Sequence, residues 1–322
     1  MQHKKRVIIY GLGKAFENQK FFILNEFEVV GYSDKEIVDM PMYILPKDMK
    51  RVSFDFIYIT STKYFEEIKK SIKEQFENLI DDNKIISMND ILGNFQNEAA
   101  RRAWIISKLK EISDGKILLD AGAGEMQYRE YCKHLEYIAQ DFGKYDPNEI
   151  SKGLKGCSTW DTTKVNITCD IIDIPLENET VDVILCTEVL EHLVNPLLAV
   201  KEFSRILKKD GELLLTAPFC SLVHMAPYFF SSGFSEYWYR ENLKEMGFLI
   251  DEILSYGNYF QWLSQELFRV NDMAKMYSGI NLKEDEINTI MASIKLLDKL
   301  NNEDKGSQDV LCFGYLIRAH KV

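Results

Sequence analysis

Short apolar runs alternate with stretches of helical periodicity along most of the chain. Val7-Ile8-Ile9-Tyr10 is the first run and ends at Gly11-Leu12-Gly13. A helical stretch through Phe21, Phe22 and Leu24 follows, then Val29-Val30-Gly31-Tyr32, which ends at Ser33-Asp34. Phe56-Ile57-Tyr58-Ile59-Thr60 and Lys84-Ile85-Ile86-Ser87 read as two further strands. Between them Ile68, Ile72, Phe76 and Leu79 carry a helical spacing. Strands alternating with helices predict a parallel sheet covered on both faces.

A helix is predicted over 94–112 from Ala99, Ala103, Ile106 and Leu109, and it bridges into a second α/β segment. Strands are expected at Lys116-Ile117-Leu118-Leu119-Asp120, at 136–141, at Thr168-Cys169-Asp170-Ile171, at 181–186 and at 212–217. A helix over 196–207 closes at Lys208-Lys209-Asp210-Gly211, basic residues and glycine suiting a helix C-terminus. Residues 250–256 and 310–319 read as a closing antiparallel pair, with a mostly helical insertion at 259–305 between them. The expected domains are therefore 1–93, a linker helix 94–113, and 114–322 with the insertion inside it.

Composition narrows the class. Of 322 residues, 46% are hydrophobic and 28% charged, as in an ordinary globular protein rather than a disordered one. The formal charge of −11 repels phosphate backbones, so no nucleic-acid partner is expected. No apolar run approaches the roughly 20 residues a membrane helix needs, so no membrane insertion is expected. Met1-Gln2-His3-Lys4-Lys5-Arg6 is basic but leads straight into a strand-like run, unlike a signal peptide. Cys132, Cys157, Cys169, Cys186, Cys220 and Cys312 are scattered with no C-x-x-C pair, which suits thiols in a reducing cytoplasm.

The chemistry concentrates at Leu119-Asp120-Ala121-Gly122-Ala123-Gly124-Glu125, a strand ending in an acid and then a glycine-alternating turn. Such glycines let the backbone approach a ligand closely. The turn is acid-x-G-x-G, and Met126 or Gln127 stands where a dinucleotide motif would carry its third glycine. A carboxylate at the strand end suits an amino-acid ammonium better than a pyrophosphate. Asp141 closes the next strand 21 positions after Asp120, where a carboxylate accepts from ribose hydroxyls. Asp170 ends the third strand, with Ile171 beside it to pack on a base. In the first segment, Gly11, Gly13 and Asp34 repeat the pattern more weakly.

These segments, with Val181-Asp182-Val183-Ile184, Thr187-Glu188-Val189-Leu190-Glu191-His192 and Leu207-Lys208-Lys209-Asp210-Gly211-Glu212-Leu213, resemble the class I S-adenosylmethionine-dependent methyltransferases over about 102–322. The resemblance implies a Rossmann-like fold with a seven-stranded mixed sheet, alongside a smaller N-terminal parallel α/β domain. It implies S-adenosyl-L-methionine as cofactor. Asp120, Gly122 and Gly124 would line its methionine part, Asp141 the ribose, Asp170 and Ile171 the adenine, and Thr187 and Glu188 the sulfonium. The missing third glycine departs from the family pattern.

A hydroxyl acceptor needs its proton removed. The candidate bases are His224 first and His192 second, both in loops at the carboxyl edge of the sheet. Glu188, Glu191 and His192 also form an E-x-x-E-H pattern that would place three ligands on one helical face. Similar segments in the family serve as metal sites or as structural helix starts, and no metal is assigned here. The aromatic segment after the fifth strand supplies the candidate acceptor residues Tyr228, Phe234, Tyr237 and Trp238. Residues 224–239 resemble methyltransferases of bacterial surface-glycan pathways, so the expected reaction is O-methylation of a sugar or sugar-derived intermediate. A methyltransferase of a small quinone-like metabolite and a donor-binding regulatory module without catalysis are the alternatives. The first domain resembles Rossmann-like modules fused to glycan enzymes and would bind a nucleotide-linked sugar or dock a partner. A second copy or a glycan-assembly enzyme is the expected protein partner.

Overall fold

The computed structural model describes residues 4–61, 64–91, 97–149, 152–154 and 160–322. Cys157 and the predicted helix start at 94–96 lie outside them. The chain folds into two compact units, one of residues 1–96 with 260–305, the other of 97–259 with 306–322. The helix expected to act as a linker thus falls in the second unit. The segment expected as an insertion in the methyltransferase domain falls, from residue 260, in the first.

The first unit holds β1 (Lys5–Tyr10), α1 (Lys14–Glu26), β2 (Phe27–Ser33), β3 (Phe56–Ile59), α2 (Phe65–Gln75), β4 (Ile85–Ile86) and α3 (Met88–Ile91). Its four strands are parallel in the order β2-β1-β3-β4. Side chains alternate across β1. Val7 and Ile9 join a cluster with Phe22 and Ile23, while Ile8 and Tyr10 join Ile57, Ile59 and Ile72 on the other face. At the glycine turn, Asp34 accepts the Leu12 N–H at 2.6 Å and the Glu36 N–H at 3.2 Å.

The second unit begins with α4 (Asn97–Glu111) and continues with β5 (Ile117–Ala121), β6 (Glu136–Asp141), β7 (Ile167–Thr168), β8 (Val181–Thr187), α5 (Pro196–Ile206), β9 (Leu207–Pro218), α6 (Glu236–Glu245) and β10 (Phe248–Tyr256). After α7 (Tyr259–Met273) and α8 (Glu284–Asn302), β11 (Gly314–Lys321) returns to close its sheet. The order is β10-β11-β9-β8-β5-β6-β7, with β11 antiparallel to both neighbours and the rest parallel. The expected seven-stranded mixed sheet and the separate parallel sheet are both present. Leu119, Ile184 and Leu215 face α5 and α6, whereas Leu118, Leu185 and Leu214 face Ile105 and Leu109 of α4.

The topology positions the site. From β5 the chain steps outward through β6 and β7, then crosses back to β8 and β9 on the other side. Connections leaving β5 and β8 in opposite directions open a crevice at their carboxyl ends, where open α/β sheets bind ligands. Asp120, Asp141, Thr187 and Pro218 all end or nearly end strands at this edge.

Candidate active site

The glycine turn is tied to β6. The Gly122 and Ala123 N–H groups donate to the Gln140 carbonyl at 2.9 and 2.8 Å. Gly124 N–H donates to Asp141 Oδ2 at 2.9 Å, and Gly143 N–H to Asp141 Oδ1 at 2.9 Å. Gly122 and Gly124 have φ of 76° and 51°, in the left-handed region. A Cβ at Gly122 would stand 2.5 Å from Val189 Cγ2, and one at Gly124 2.5 Å from Trp160 Cζ2. Met126, at the position of the absent third glycine, also has a positive φ of 55°. The departure from the family pattern changes the residue but not the local backbone conformation.

Asp120 is buried and accepts the Tyr137 hydroxyl at 2.5 Å. Burial pushes its pKa up to about 7, the Tyr137 hydrogen bond opposing and the Asp141 charge adding to the rise. Each Asp141 oxygen accepts one amide and keeps lone-pair capacity. Trp160 Nε1 is buried with no hydrogen-bond acceptor among the described residues. A buried acid lacking a cation, a carboxylate with free lone pairs and an unmet N–H beside a bare backbone turn all fit S-adenosylmethionine. Its ammonium, vicinal diol and carboxylate are the complementary groups.

The predicted residues do not all come together. Asp170 lies past β7 in an exposed turn, accepting the Ile172 N–H at 3.2 Å. Ile171 is buried in the core. Thr187 ends β8, half-buried. Glu188 Oε1 accepts from Thr216 Oγ1 at 3.0 Å, and Oε2 from Arg101 Nη1 at 3.0 Å, an arginine that also reaches Tyr256. This divides the E-x-x-E-H pattern. Leu190–His192 forms a single 3-10 turn rather than a helical face. Glu188 turns to Arg101, while Glu191 and His192 point to a different group.

That group is completed by His224. His192 Nε2 lies 3.7 Å and His224 Nε2 3.9 Å from Glu191 Oε1, and the two imidazole centroids are 4.7 Å apart. Each Nδ1 is held by a backbone carbonyl, Tyr228 O at 2.5 Å for His192 and Leu222 O at 2.9 Å for His224. A carbonyl accepts only, so each Nδ1 carries a proton, and in the neutral ring each Nε2 keeps a lone pair. Burial lowers the His192 pKa to about 4, which the Tyr228 carbonyl opposes and His224 reinforces. Glu191 is fully buried, and burial followed by the Glu188 charge raises its pKa well above the usual carboxyl range.

Of the acceptor candidates, Tyr228 lies beside the histidines, its ring edge-on to Phe142 at 4.9 Å. Phe234 is buried in the core at 4.6 Å from Trp238, which packs on the same core. Tyr237 is 79% exposed on α6. Phe229, in the same aromatic segment, stands 5.2 Å from the His224 ring. Arg101, Tyr137 and Trp160 carried no sequence signal, since each reaches the site through tertiary contact.

A family model described as a methyltransferase domain matches residues 119–215, and one described as C2185-like, N-terminal, matches residues 3–86. Among curated proteins none matches. Solved structures similar to the chain include an S-adenosylmethionine-dependent methyltransferase from Archaeoglobus fulgidus, 18% identical over 70% of this chain and 98% of that one, with a TM-score of 0.41. Another from Mesorhizobium loti is 11% identical over 70% of this chain and 100% of that one, with a TM-score of 0.40. A [4+2]-cyclase is 14% identical over 70% and 81%, with a TM-score of 0.41. Likeness of this degree carries no argument about the reaction; the domain match and the glycine turn do. The second unit contains a methyltransferase domain at residues 119–215, and the enzyme's methyl donor is S-adenosylmethionine.

Proposed function

We propose that the protein methylates a hydroxyl of a sugar or sugar-derived intermediate of bacterial surface-glycan assembly in the cytoplasm. The observation that carries this reading is the convergence of two imidazole lone pairs, on His192 and His224, at the carboxyl edge of the sheet. They follow Val189, whose side chain packs against Gly122 of the donor turn.

S-adenosylmethionine supplies a methyl group already activated on a positively charged sulfur. Asp120 would hold the ammonium of the donor, Asp141 its ribose hydroxyls, Asp170 and Ile171 its adenine, and Thr187 and Glu188 would border the sulfur. Alignment accounts for most of the acceleration. The bound donor would give its methyl carbon to the acceptor oxygen and keep the C–S electron pair on sulfur, while Nε2 of His224, or of His192, takes the hydroxyl proton. The rings of Phe142, Tyr228 and Phe229 around this point offer apolar faces of the kind that stack on sugars. The first unit supplies a docking or nucleotide-sugar module.

The test is transfer of labelled methyl from S-adenosylmethionine to a panel of glycan precursors. Asp141→Ala should weaken S-adenosylhomocysteine binding by roughly tenfold or more in calorimetry, the loss of one charge-assisted hydrogen bond to a ligand. His224→Ala and His192→Ala should lower kcat by about 10²–10⁴. Full turnover in both histidine variants excludes them as the base.

A further inference from the structure

We propose that Glu191, His192 and His224 form a site for one divalent transition-metal ion, whose open position takes the acceptor's hydroxyl oxygen. The binding claim stands on geometry alone; the role of the open position rests on the hydroxyl methylation proposed above.

Both carboxylate oxygens of Glu191 are buried with no hydrogen-bond partner among the described residues. An orphaned buried carboxyl is costly. Neutralising it with a proton does not resolve the problem. The hydroxyl so formed would still need an acceptor, and both imidazole nitrogens stand beyond hydrogen-bond length at 3.7 and 3.9 Å. Among the described residues no lysine or arginine forms an ion pair with Glu191, and Arg101 is engaged by Glu188 and Tyr256.

These distances suit a shared ion better than direct contact. Ligand atoms around a tetrahedral zinc-sized ion, about 2.1 Å from each, lie about 3.4 Å apart. The three groups offer one ligand atom each, all within 4.8 Å of one another. Side-chain rotation that shortens these separations closes the set. Metal-ligating histidines hold their second nitrogen against a carbonyl or carboxylate, which orients the ring and secures the tautomer. Both rings do so here, through Tyr228 and Leu222. The loop that carries His224 is anchored on both sides. Phe230 and Ser231 N–H groups donate to the Glu191 carbonyl at 2.9 and 3.2 Å, and Leu154 N–H to Val223 O at 2.8 Å.

Two imidazoles and one carboxylate select zinc, cobalt, manganese or iron over calcium and magnesium, which prefer all-oxygen sets. Three protein ligands leave a position open, as in catalytic rather than structural sites. The His224 side chain is 30% exposed, against 11% for His192 and 1% for Glu191, so the set is reached by solvent from the His224 side. An acceptor hydroxyl bound there would lose its proton to solvent at lower pH than in water, which replaces transfer to the imidazoles, because the ion then holds their Nε2 lone pairs.

The full chain, stripped with a chelator, is titrated with Co2+ by visible absorption and with Zn2+ by calorimetry. One equivalent per chain and a d–d band are expected. Glu191→Gln and His224→Ala should each weaken binding by roughly 100-fold, and His320→Gln, a histidine paired with Asp251 elsewhere, should leave it unchanged. Thermal melts establish that each variant is folded; His224, the more exposed ligand, remains informative if the Glu191 variant is not. Absence of a tight equivalent, or equal binding in both ligand variants, overturns the site. Methylation that continues at full rate in the stripped enzyme overturns the role given to the open position and leaves the imidazole base. Metal binding with no glycan acceptor methylated overturns the proposed function and leaves the metal site standing.

Discussion

At Asp120 a carboxyl is buried within reach of a second carboxylate, with a tyrosine hydroxyl as its hydrogen-bond donor. The sign of the consequence follows from where each state releases its proton. An unfolded aspartate ionises near pH 3.9, whereas the folded one, raised by burial, does so near 7. The folded state holds the extra proton between those values, so stability of the donor-free protein falls as pH rises from about 4 to about 7. This group contributes roughly 4 kcal/mol to that fall, and the loss is complete above pH 7. Urea unfolding between pH 5 and 8 should show the slope, and Asp120→Asn should flatten it. A donor ammonium selects the charged carboxylate, so S-adenosylhomocysteine affinity should rise over the same window. A pH-independent affinity would remove Asp120 from the ammonium. Met126 illustrates the opposite case, in which a residue tolerates what the backbone demands: its left-handed conformation carries strain of about 1–2 kcal/mol that glycine would lack.

Between elements, Arg101 couples α4 to the ends of β8, β9 and β10 through Glu188 and Tyr256, with Glu188 tied to Thr216. Its removal leaves the Glu188 charge partly buried and unmatched. Arg101→Met should therefore destabilise the protein by about 2–3 kcal/mol, and Glu188→Gln added to it should recover part of the loss. Additive denaturation energies in this cycle would mean that the pair does not interact. The junction of α5 and β9 shows how neighbours redirect a local preference. Lys208-Lys209-Asp210-Gly211 reads as a helix-ending turn, but it lies inside β9, where Leu207 pairs with Val181 before the register shifts. Lys208 is drawn to Asp182 at 2.9 Å, a carboxylate that also accepts the Ile117 N–H at 3.0 Å. The strand therefore begins at the helix end and carries the turn residues as an irregularity.

Across the whole molecule the chain crosses between its two units more than once, leaving the second near residue 260 and returning near 306. Ile287, Met291 and Ile294 of α8 pack into the cluster of Val7, Ile9, Phe22 and Ile23. Ile294 is fully buried there. Ile294→Ala should cost about 2–5 kcal/mol and lower hydrogen-exchange protection of the β1 and β3 amides. Protection of β1 and β3 equal to that of the unmodified protein would show that α8 contributes nothing to that core.

Local patterning was enough to establish the alternating α/β elements and the two sheets they build. Apolar runs, helical periodicity and glycine turns act over a few residues and need no partner to be recognised. The acid-x-G-x-G turn with Asp141 after it was likewise legible, because strand ends in such folds must meet at one edge. Which core α8 would join was not, since an apolar helix face specifies only that it needs cover. Nor was the division of Glu188 from Glu191 and His192, or the arrival of His224 beside them. Those partnerships join residues separated by 32 or more positions, such as His192 and His224. Only the packing of the strand-end loops brings their side chains within a few ångströms, and at that distance burial and charge decide their chemistry.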